Sequence, residues 1–186
     1  RMAQLKITTT EIADAVKNAG RLIKEGGAEC VKLEGGIHVA ETVMRLAQID
    51  IPVMGHIGLT PQSVHRMGGH KVQGRERGNA PGARERLLRD AVALEEAGAF
   101  AIVIEGVPAD LAAEITREVG VPTIGIGAGA GCDGQVLVMY DVLGLEDRIT
   151  PKFVKRYAEL GQVATRAFES YVEEVRGAVF PTEAHS

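Results

Sequence analysis

Apolar residues at the start of the chain recur with helical spacing. They begin at Ile12, continue to Ile23 and stop at the pair Gly26 and Gly27. The segment Thr8–Glu11 just before them has the Thr-x-x-Glu pattern of a capping box. This pattern predicts an amphipathic helix with one buried face.

Short apolar segments then alternate with further helical patterns. The predicted strands are Glu29–Leu33, Val53–Gly58, Phe100–Ile104, Pro122–Gly127 and Val136–Tyr140. The predicted helices between and after them are roughly Val39–Gln48, Ala83–Ala97, Ala109–Val119 and the C-terminal third of the chain. No strand pattern precedes the first helix. Because the strands are apolar on both faces, the alternation indicates a parallel sheet covered by helices.

Two stretches of the chain are similar to each other. Gly27–Glu34 aligns with Gly98–Glu105, and each places a glutamate seven residues after a Gly-Ala helix stop. Such repeated βα units predict a (β/α)₈ barrel, whose chemistry is carried at the carboxyl ends of its strands. No linker or low-complexity tract interrupts the pattern, so a single domain over residues 1–186 is expected.

The composition excludes several classes of function. The 186 residues include 21 Lys plus Arg and 25 Asp plus Glu, a formal charge of −4. This balance gives no basic footprint for nucleic acid or an anionic membrane, and no apolar run approaches the ~20 residues that span a bilayer. Cys30 and Cys132 form neither a disulfide framework nor a metal cluster, which favours a reducing, cytoplasmic setting.

Glu34 and Glu105 are the first candidates for chemistry. Each closes an apolar strand and is followed by glycine. A carboxylate at the mouth of a barrel can bind Mg²⁺ or accept a proton. One such glutamate could equally be a solvated residue at a strand end, but two at equivalent positions favour a function.

Lys32 and His56 are the second pair of candidates. Lys32 interrupts an apolar strand two residues before Glu34, so both side chains should share a face. A buried lysine must be paired or bind an anion, which leaves substrate binding, a structural ion pair with Glu34 or exposure at a sheet edge. His56 follows a glycine within a strand, where a hydrogen-bonded core histidine is the common alternative to a ligand.

Two glycine-rich segments are harder to interpret. Gly125–Ala130 matches a dinucleotide-binding Gly-x-Gly-x-x-Ala pattern, but no crossover helix fits before Val136, so close packing around a small ligand is the better interpretation. The loop Gly68–Gly82 is either functional or a surface excursion.

At these residues the sequence resembles the ketopantoate hydroxymethyltransferase family. The resemblance covers nearly the whole chain, and its blocks occur in family order. They are VKLEGG (31–36), PVMGHIGLTPQSV (52–64), GGHKVQGR (68–75), EGVPADLA (105–112), PTIGIGAGAGCDGQVLVMYD (122–141) and VFPTEAHS (179–186).

The resemblance implies a (β/α)₈ barrel of the phosphoenolpyruvate/pyruvate-binding type, here represented by its last five strands, in a homodecamer. It also implies Mg²⁺, 3-methyl-2-oxobutanoate as substrate and 5,10-methylenetetrahydrofolate as the one-carbon donor, with ketopantoate as product. By the same resemblance, Glu105 is the general base, Lys32 and His56 bind the substrate, and Glu34 belongs to the metal site.

This chain departs from the family pattern in two places. The family barrel begins with further strands that carry metal-binding aspartates and a segment that holds the keto acid, and this sequence has neither. We therefore expect the chain to be the C-terminal two-thirds of such an enzyme and not to turn over alone. The stretch Glu76–Arg84 also looks longer than the family loop, which leaves the folate contacts open.

Two other interpretations remain. One is a Mg²⁺-dependent C–C lyase of the related isocitrate lyase and phosphoenolpyruvate mutase group, although the expected cysteine-containing lid motif is missing. The other is an assembly fragment that lacks activity.

Overall fold

The computed structural model of the protein describes residues 2–5, 11–63, 69, 71–75, 80–146 and 151–186. The chain divides into two compact units, Arg1–Val136 and Leu137–Ser186. The first contains the sheet, and the second is helical. The single domain over residues 1–186 stays a prediction.

One parallel sheet runs through the first unit, and its strands neighbour each other in chain order. The strands are β1 (Met2–Leu5), β2 (Cys30–Glu34), β3 (Val53–Gly58), β4 (Ala101–Glu105), β5 (Thr123–Ile126) and β6 (Gly134–Gln135). An order without reversal is typical of (β/α)₈ barrels, whereas the order of doubly wound sheets reverses.

Helices connect most of these strands. They are α1 (Ile12–Lys24), α2 (Ala40–Ala47), α3 (Ala83–Glu96) and α4 (Ala109–Glu118), followed in the second unit by α5 (Met139–Leu143) and α6 (Leu160–Arg176). The predicted fold class, α/β with the strands and helices of a partial barrel, is confirmed. Thr8 of the predicted capping box lies outside the described residues, and α1 begins after Glu11 without a side-chain cap.

Two strand predictions are wrong. A strand does precede the first helix, because Met2–Leu5 pairs with the start of β2; it is too short to show a period. The predicted strand Val136–Tyr140 is replaced by pairing of Gly134 and Gln135, and Met139 already begins a helix. Glycine has low strand propensity and a strand of two residues shows no period, so this pairing comes from tertiary structure. The residues that the structure describes form a sheet of six strands.

The core lies between the sheet and its helices. Residues Ala101–Ile104 of β4 are all buried, as expected for a strand covered on both faces. The largest fully buried side chains include Leu33, Leu46, Leu94, Ile102, Leu111 and Ile115. Burial of each side chain contributes about 1.5–3 kcal/mol to the stability of the fold. The strand ends that carry the candidate residues are therefore supported by a well-packed core.

The connection between β5 and β6 contains no helix, in agreement with the prediction for this glycine-rich segment. Parallel strands usually need a dozen or more residues to connect, but here residues 127–133 suffice. Gly129 has a φ of 77°, and a Cβ there would lie 2.4 Å from Cβ of Ala109 at the start of α4. A Cβ at Gly131 would lie 2.6 Å from Cβ of Ala113. Glycine therefore lets the connection lie directly on α4.

The second unit has its own internal contacts. The ring of Phe180 lies 5.7 Å from that of Tyr171 on α6 and 5.2 Å from that of His185. In both units, none of the described helices has the length and apolar character to cross a membrane.

Candidate active site

The four predicted site residues lie at the carboxyl ends of three neighbouring strands. Lys32 and Glu34 are on β2, His56 is on β3 and Glu105 ends β4. The register pairs Glu34 with His56 and places Glu105 beside Gly58. Because parallel strands end at one edge of the sheet, residues separated by up to 73 positions of sequence meet there.

His56 is the centre of this group. Its side chain is only 3% exposed. Its Nδ1 lies 2.9 Å from Nζ of Lys32 and 3.8 Å from Oε1 of Glu34. Its Nε2 lies 3.1 Å from Oε2 of Glu105. Both candidate carboxylates therefore approach the same imidazole ring within 4 Å.

The carboxylate of Glu34 is held by several donors. The backbone N–H of Gln62 donates to its Oε2 at 3.0 Å, and Nε2 of Gln4 donates to its Oε1 at 3.3 Å. Nζ of Lys32 lies 3.9 Å from Oε1. Hydrogen bonds of this kind compensate the cost of burying the negative charge of a side chain that is 8% exposed.

Sequence reasoning missed Gln4 and Gln62. Gln4 lies on the short strand that no periodicity revealed. Gln62 contributes its main-chain N–H, a group that every residue except proline carries. The residue type at position 62 therefore does not indicate that it belongs to the site. Only the pairing of β1 with β2, which sets Gln4 opposite Lys32, brings the glutamine to the site.

Lys32 is largely buried beside two carboxylates. Burial lowers its pKa from the ordinary value, while the negative charges of Glu34 and Glu105 oppose that change. Its side chain is 17% exposed, and β2 is flanked on both sides by strands. The alternative of an exposed lysine at a sheet edge is therefore wrong, whereas an ion pair with Glu34 is compatible with the observed distances.

One buried polar atom of the site has no aligned partner. Nε2 of His56 is shielded from solvent but makes no hydrogen bond of acceptable geometry with any residue that the structure describes. Oε2 of Glu105 lies close enough to Nε2 for a hydrogen bond, but the angles between the two groups are outside the range of one. A buried polar atom left in this way is costly unless a ligand completes it.

The acidic side chains of the site suit a hard cation in their chemistry. Mg²⁺ prefers oxygen ligands and is commonly bound by one or two carboxylates together with water and substrate oxygens. Within the described ranges, however, no group of three or more His, Cys, Asp or Glu side chains is arranged to hold a metal ion. The carboxylate of Glu34 therefore fits in its chemistry as part of a magnesium site whose further ligands would be water and substrate.

The loop after Glu34 is packed tightly on α3. Oδ1 of Asp90 accepts a hydrogen bond of 2.8 Å from the backbone N–H of Ile37. A Cβ at Gly36 would lie 1.9 Å from Cγ of Asp90. The second glycine of the Glu-Gly-Gly sequence is therefore required by the close approach of this carboxylate, which fixes the backbone just beyond the site.

Comparison with known proteins places the sequence in a family. A sequence model described as ketopantoate hydroxymethyltransferase matches residues 2–183. The chain belongs to the ketopantoate hydroxymethyltransferase family. The resemblance inferred from the sequence blocks is thereby confirmed.

Individual relatives agree with the family. The 3-methyl-2-oxobutanoate hydroxymethyltransferase of Pelobacter propionicus is 58% identical over 175 residues, which cover 94% of this chain and 63% of that protein. The protein of the same name from Geobacter sulfurreducens is 59% identical over 177 residues, 95% of this chain and 65% of its own length. The chain thus spans slightly less than two thirds of the length of these relatives.

A solved structure of a putative lyase/mutase from Burkholderia cenocepacia J2315 is similar with a TM-score of 0.45 and 17% identity, over 97% of this chain and 62% of that chain.

Proposed function

We propose that this chain carries the proton-abstracting part of a ketopantoate hydroxymethyltransferase site. The reaction would transfer a hydroxymethyl group from 5,10-methylenetetrahydrofolate to 3-methyl-2-oxobutanoate and form ketopantoate, a precursor of pantothenate. The single observation that carries the proposal is the convergence of Glu34, Glu105 and Lys32 on His56, in a chain of this family.

Glu105 is the base in this proposal. Its carboxylate would remove the proton from C3 of the keto acid, and the electron pair of the broken C–H bond would form the C2–C3 double bond of an enolate. The negative charge then resides on the former keto oxygen. The enolate carbon would form a bond to the one-carbon unit of the folate, and water would supply the hydroxyl oxygen. The two C–N bonds that hold the one-carbon unit would break, and tetrahydrofolate would leave with the proton taken from C3 and one proton of the water on its two nitrogens. Base catalysis of this kind typically contributes about 10²–10⁴-fold to a rate.

Lys32 and His56 would bind the substrate. Their N–H groups stand beside Glu105, where donors stabilise the charge that develops on a carboxylate or enolate oxygen. Because both side chains are largely buried, water competes weakly for these hydrogen bonds.

Glu34 would contribute to a magnesium site. When bound, Mg²⁺ would act as a Lewis acid toward the keto and carboxylate oxygens of the substrate and so acidify C3. Glu34 itself is held in place by Gln4 and the backbone of Gln62, which would orient its carboxylate before any ligand arrives.

The resemblance extends the proposal to assembly and location. We propose a homo-oligomer, a decamer by analogy with the family, in the cytoplasm. Mass spectrometry of the native protein measures the assembly directly, and a monomeric mass would contradict this part.

Exchange of the C3 hydrogen tests the proposal at its first step. 3-Methyl-2-oxobutanoate is incubated with the chain and Mg²⁺ in D₂O, and loss of the C3 signal is followed by proton NMR. Complete turnover by the chain alone is not expected, but exchange requires only the base and the enolate-stabilising groups. Glu105→Gln should slow exchange about 10²-fold or more, whereas Glu96→Gln, at an exposed position of α3, should leave it unchanged.

The same experiment separates the alternatives. The family match favours the transferase over the lyase of the isocitrate lyase group. A folded chain that catalyses no exchange above buffer would contradict the proposal and favour the inactive assembly fragment. Exchange that is equally fast with Glu105→Gln would remove Glu105 from the role of base.

A further inference from the structure

A cavity of about 320 Å³ lies beside the candidate site. Gly35, which lines it, directly follows Glu34, and Gly58, which also lines it, pairs in register with Glu105. The four candidate residues themselves do not line this cavity. The cavity therefore adjoins the strand ends that carry both carboxylates, and it can take a second molecule while the charged side chains bind a first.

Thr60 presents the hydroxyl of a buried side chain to the cavity. The residue is only 4% exposed, and its hydroxyl makes no hydrogen bond with any residue that the structure describes. A buried polar group without a partner is unfavourable, and in native proteins water or a ligand usually completes it. Thr60 therefore indicates that a polar atom of a ligand belongs in this cavity.

Asp90 and Gln73 present acceptors to the same cavity. Oδ1 of Asp90 accepts the backbone N–H of Ile37 at 2.8 Å, but a carboxylate accepts about four hydrogen bonds, so further donors can bind to it. Nε2 of Gln73 donates to the backbone oxygen of Lys71 at 2.9 Å, which leaves the amide oxygen of Gln73 as an acceptor. The cavity therefore suits a ligand that brings N–H donors.

The walls of the cavity suit a flat ring. No side chain separates a ligand from the backbone at the four glycines of the described lining, Gly35, Gly36, Gly58 and Gly74. The buried side chains of Ile57 and Leu87 add an apolar surface. Small-molecule sites commonly have volumes of about 300–1,000 Å³. A cavity at the lower end of this range has room for one ring system and not for a long, extended molecule.

The charges of the cavity disfavour an anion. Arg86 is the one lysine or arginine among the described residues that line it, and its Nη1 and Nη2 donate to the backbone oxygens of Pro81 and Ala80. The carboxylate of Asp90 adds a negative charge to the same lining. A phosphate would therefore meet an acidic side chain and a guanidinium that is already hydrogen-bonded, whereas a neutral polar ring avoids both costs.

We propose that this cavity binds the reduced pterin ring of the folate co-substrate. The inference rests on the proposed function, which requires a second substrate whose one-carbon unit reaches the enolate. The pyrimidine half of this ring carries two neighbouring N–H groups, on N3 and on the 2-amino nitrogen, which Asp90 would accept. Thr60 would hydrogen-bond a further polar atom of the ring. The one-carbon unit, attached to N5 of the ring, would then lie near the strand ends of Glu34 and Glu105.

Binding of the two halves of the folate tests which half the cavity takes. The probes are 6-methyltetrahydropterin, which is the ring alone, and 4-aminobenzoylglutamate, which is the remainder of the molecule. Equilibrium dialysis against the chain, under anaerobic and reducing conditions without keto acid or Mg²⁺, measures the Kd of each. We expect the ring to bind saturably and the second probe not to displace it. Failure of the ring to bind would overturn the inference, and so would its displacement by 4-aminobenzoylglutamate or by inorganic phosphate.

Two variants locate the bound ring. Thr60→Val removes the hydroxyl at nearly the same volume and should raise the Kd of the ring about 3–10-fold, the effect of one lost hydrogen bond. Asp90→Asn keeps an acceptor for Ile37 but sets an amide N–H group against the N–H donors of the ring, and should raise the Kd about 10-fold or more. An unchanged Kd in either variant, with the circular dichroism of the wild type, would overturn the inference.

Matched controls change the same residue types away from the cavity. Thr165→Val on α6 and Asp14→Asn on α1 lie at exposed positions and should leave the Kd of the ring unchanged. Thr60→Ser retains the hydroxyl and should bind the ring like the wild type. If Thr60→Val or Asp90→Asn does not fold, the other variant decides by the same criterion, and loss of binding in a folded Thr60→Ser chain contradicts the role of the hydroxyl.

The binding experiment is independent of the exchange experiment. Because the ring is measured without keto acid, a chain that fails to exchange the C3 hydrogen but binds the ring through Thr60 and Asp90 would contradict the proposed function and support the cavity assignment. A chain that exchanges this hydrogen but does not bind the ring would overturn the cavity assignment alone.

Discussion

Nε2 of His56 lies 3.1 Å from Oε2 of Glu105, while Nδ1 of the same ring lies 2.9 Å from Nζ of Lys32 and 3.8 Å from Oε1 of Glu34. A single buried imidazole therefore connects the two glutamates that end β2 and β4. Both carboxylates therefore lie at the same edge of the sheet, and a shared ligand for them stays a prediction. Each charged side chain of the cluster is stabilised by the charges and hydrogen bonds of its neighbours. Substitution of one of them should therefore change the free energy of unfolding by a measurable amount.

Glu34→Gln should destabilise the protein. The substitution removes a buried charge that compensates Lys32 and weakens the acceptor for Gln62 and Gln4. Loss of one partner of a buried polar pair costs about 1–3 kcal/mol. The free energy of unfolding, measured in urea, should fall by this amount.

Glu25→Gln is the matched control for Glu34→Gln. Glu25 also pairs with a cation, Arg21, but both side chains are 63% exposed. Exposed pairs of this type contribute at most about 1 kcal/mol. Equal losses for both variants would mean that burial does not strengthen the Glu34 interactions.

Gly36→Ala should destabilise the loop that follows Glu34. The added Cβ would overlap the carboxylate of Asp90 on α3, and overpacking of this kind costs about 1–3 kcal/mol. Chemical denaturation measures the loss. Combining it with Asp90→Ala, which removes the overlapping carboxylate and the acceptor for Ile37 but keeps the Cβ of residue 90, should cost less than the sum of the two single variants.

Gly20→Ala is the corresponding control. Gly20 lies within α1, where an added Cβ has no neighbour within 4 Å. Alanine is a better helix former than glycine by about 0.5–1 kcal/mol, so this variant should be more stable than the wild type. If Gly36→Ala were equally stabilising, the described contact with Asp90 would not exist in solution.

The sequence was sufficient for residues whose position follows from strand order. Glu34 and Glu105 were identified because each ends an apolar strand before a glycine, and parallel strands end at one edge. The immediate neighbours of each side chain depend on register between strands, which a single sequence does not contain. His56 illustrates this limit, because it is both the buried, hydrogen-bonded histidine of the common interpretation and a member of the candidate site.

The short edge strands could not be predicted for a related reason. Gly134 and Gln135 form a strand too short to show a period, yet they pair with β5, where Asp133 just before them bonds to Thr123. Gln4 reaches the site through another short strand, β1, which has four residues. In both places, tertiary contacts override local preference.

Arg84→Met should weaken the link between α3 and α4. Arg84 donates to Oδ2 of Asp110 at 2.7 Å and also pairs with Glu114. Because the acidic partners are partly or largely exposed, the loss should be about 0.2–1 kcal/mol and should shrink at high salt. Arg117→Met, which removes only an exposed bond to the backbone of Ala113, is the control; a loss that does not depend on salt would contradict an electrostatic link.

Asp133→Asn should change how stability depends on pH. Hydrogen bonds from the backbone N–H and then the hydroxyl of Thr123 hold the pKa of Asp133 below its ordinary value. A carboxyl whose pKa is lowered by folding stabilises the native state above its unfolded pKa of about 3.9, and this stabilisation is lost as the pH falls through the lower, folded pKa.

At neutral pH, Asp133→Asn should therefore be less stable than the wild type, and the difference should narrow in acid as the wild-type carboxyl is protonated. Urea unfolding across this range measures both trends. Glu118→Gln, an exposed carboxyl at the end of α4, should follow the wild-type curve. If the difference in the free energy of unfolding between Asp133→Asn and wild type stays constant into acid, the bond to Thr123 acts through geometry alone. The charge of Asp133 would then not stabilise the β5–β6 connection.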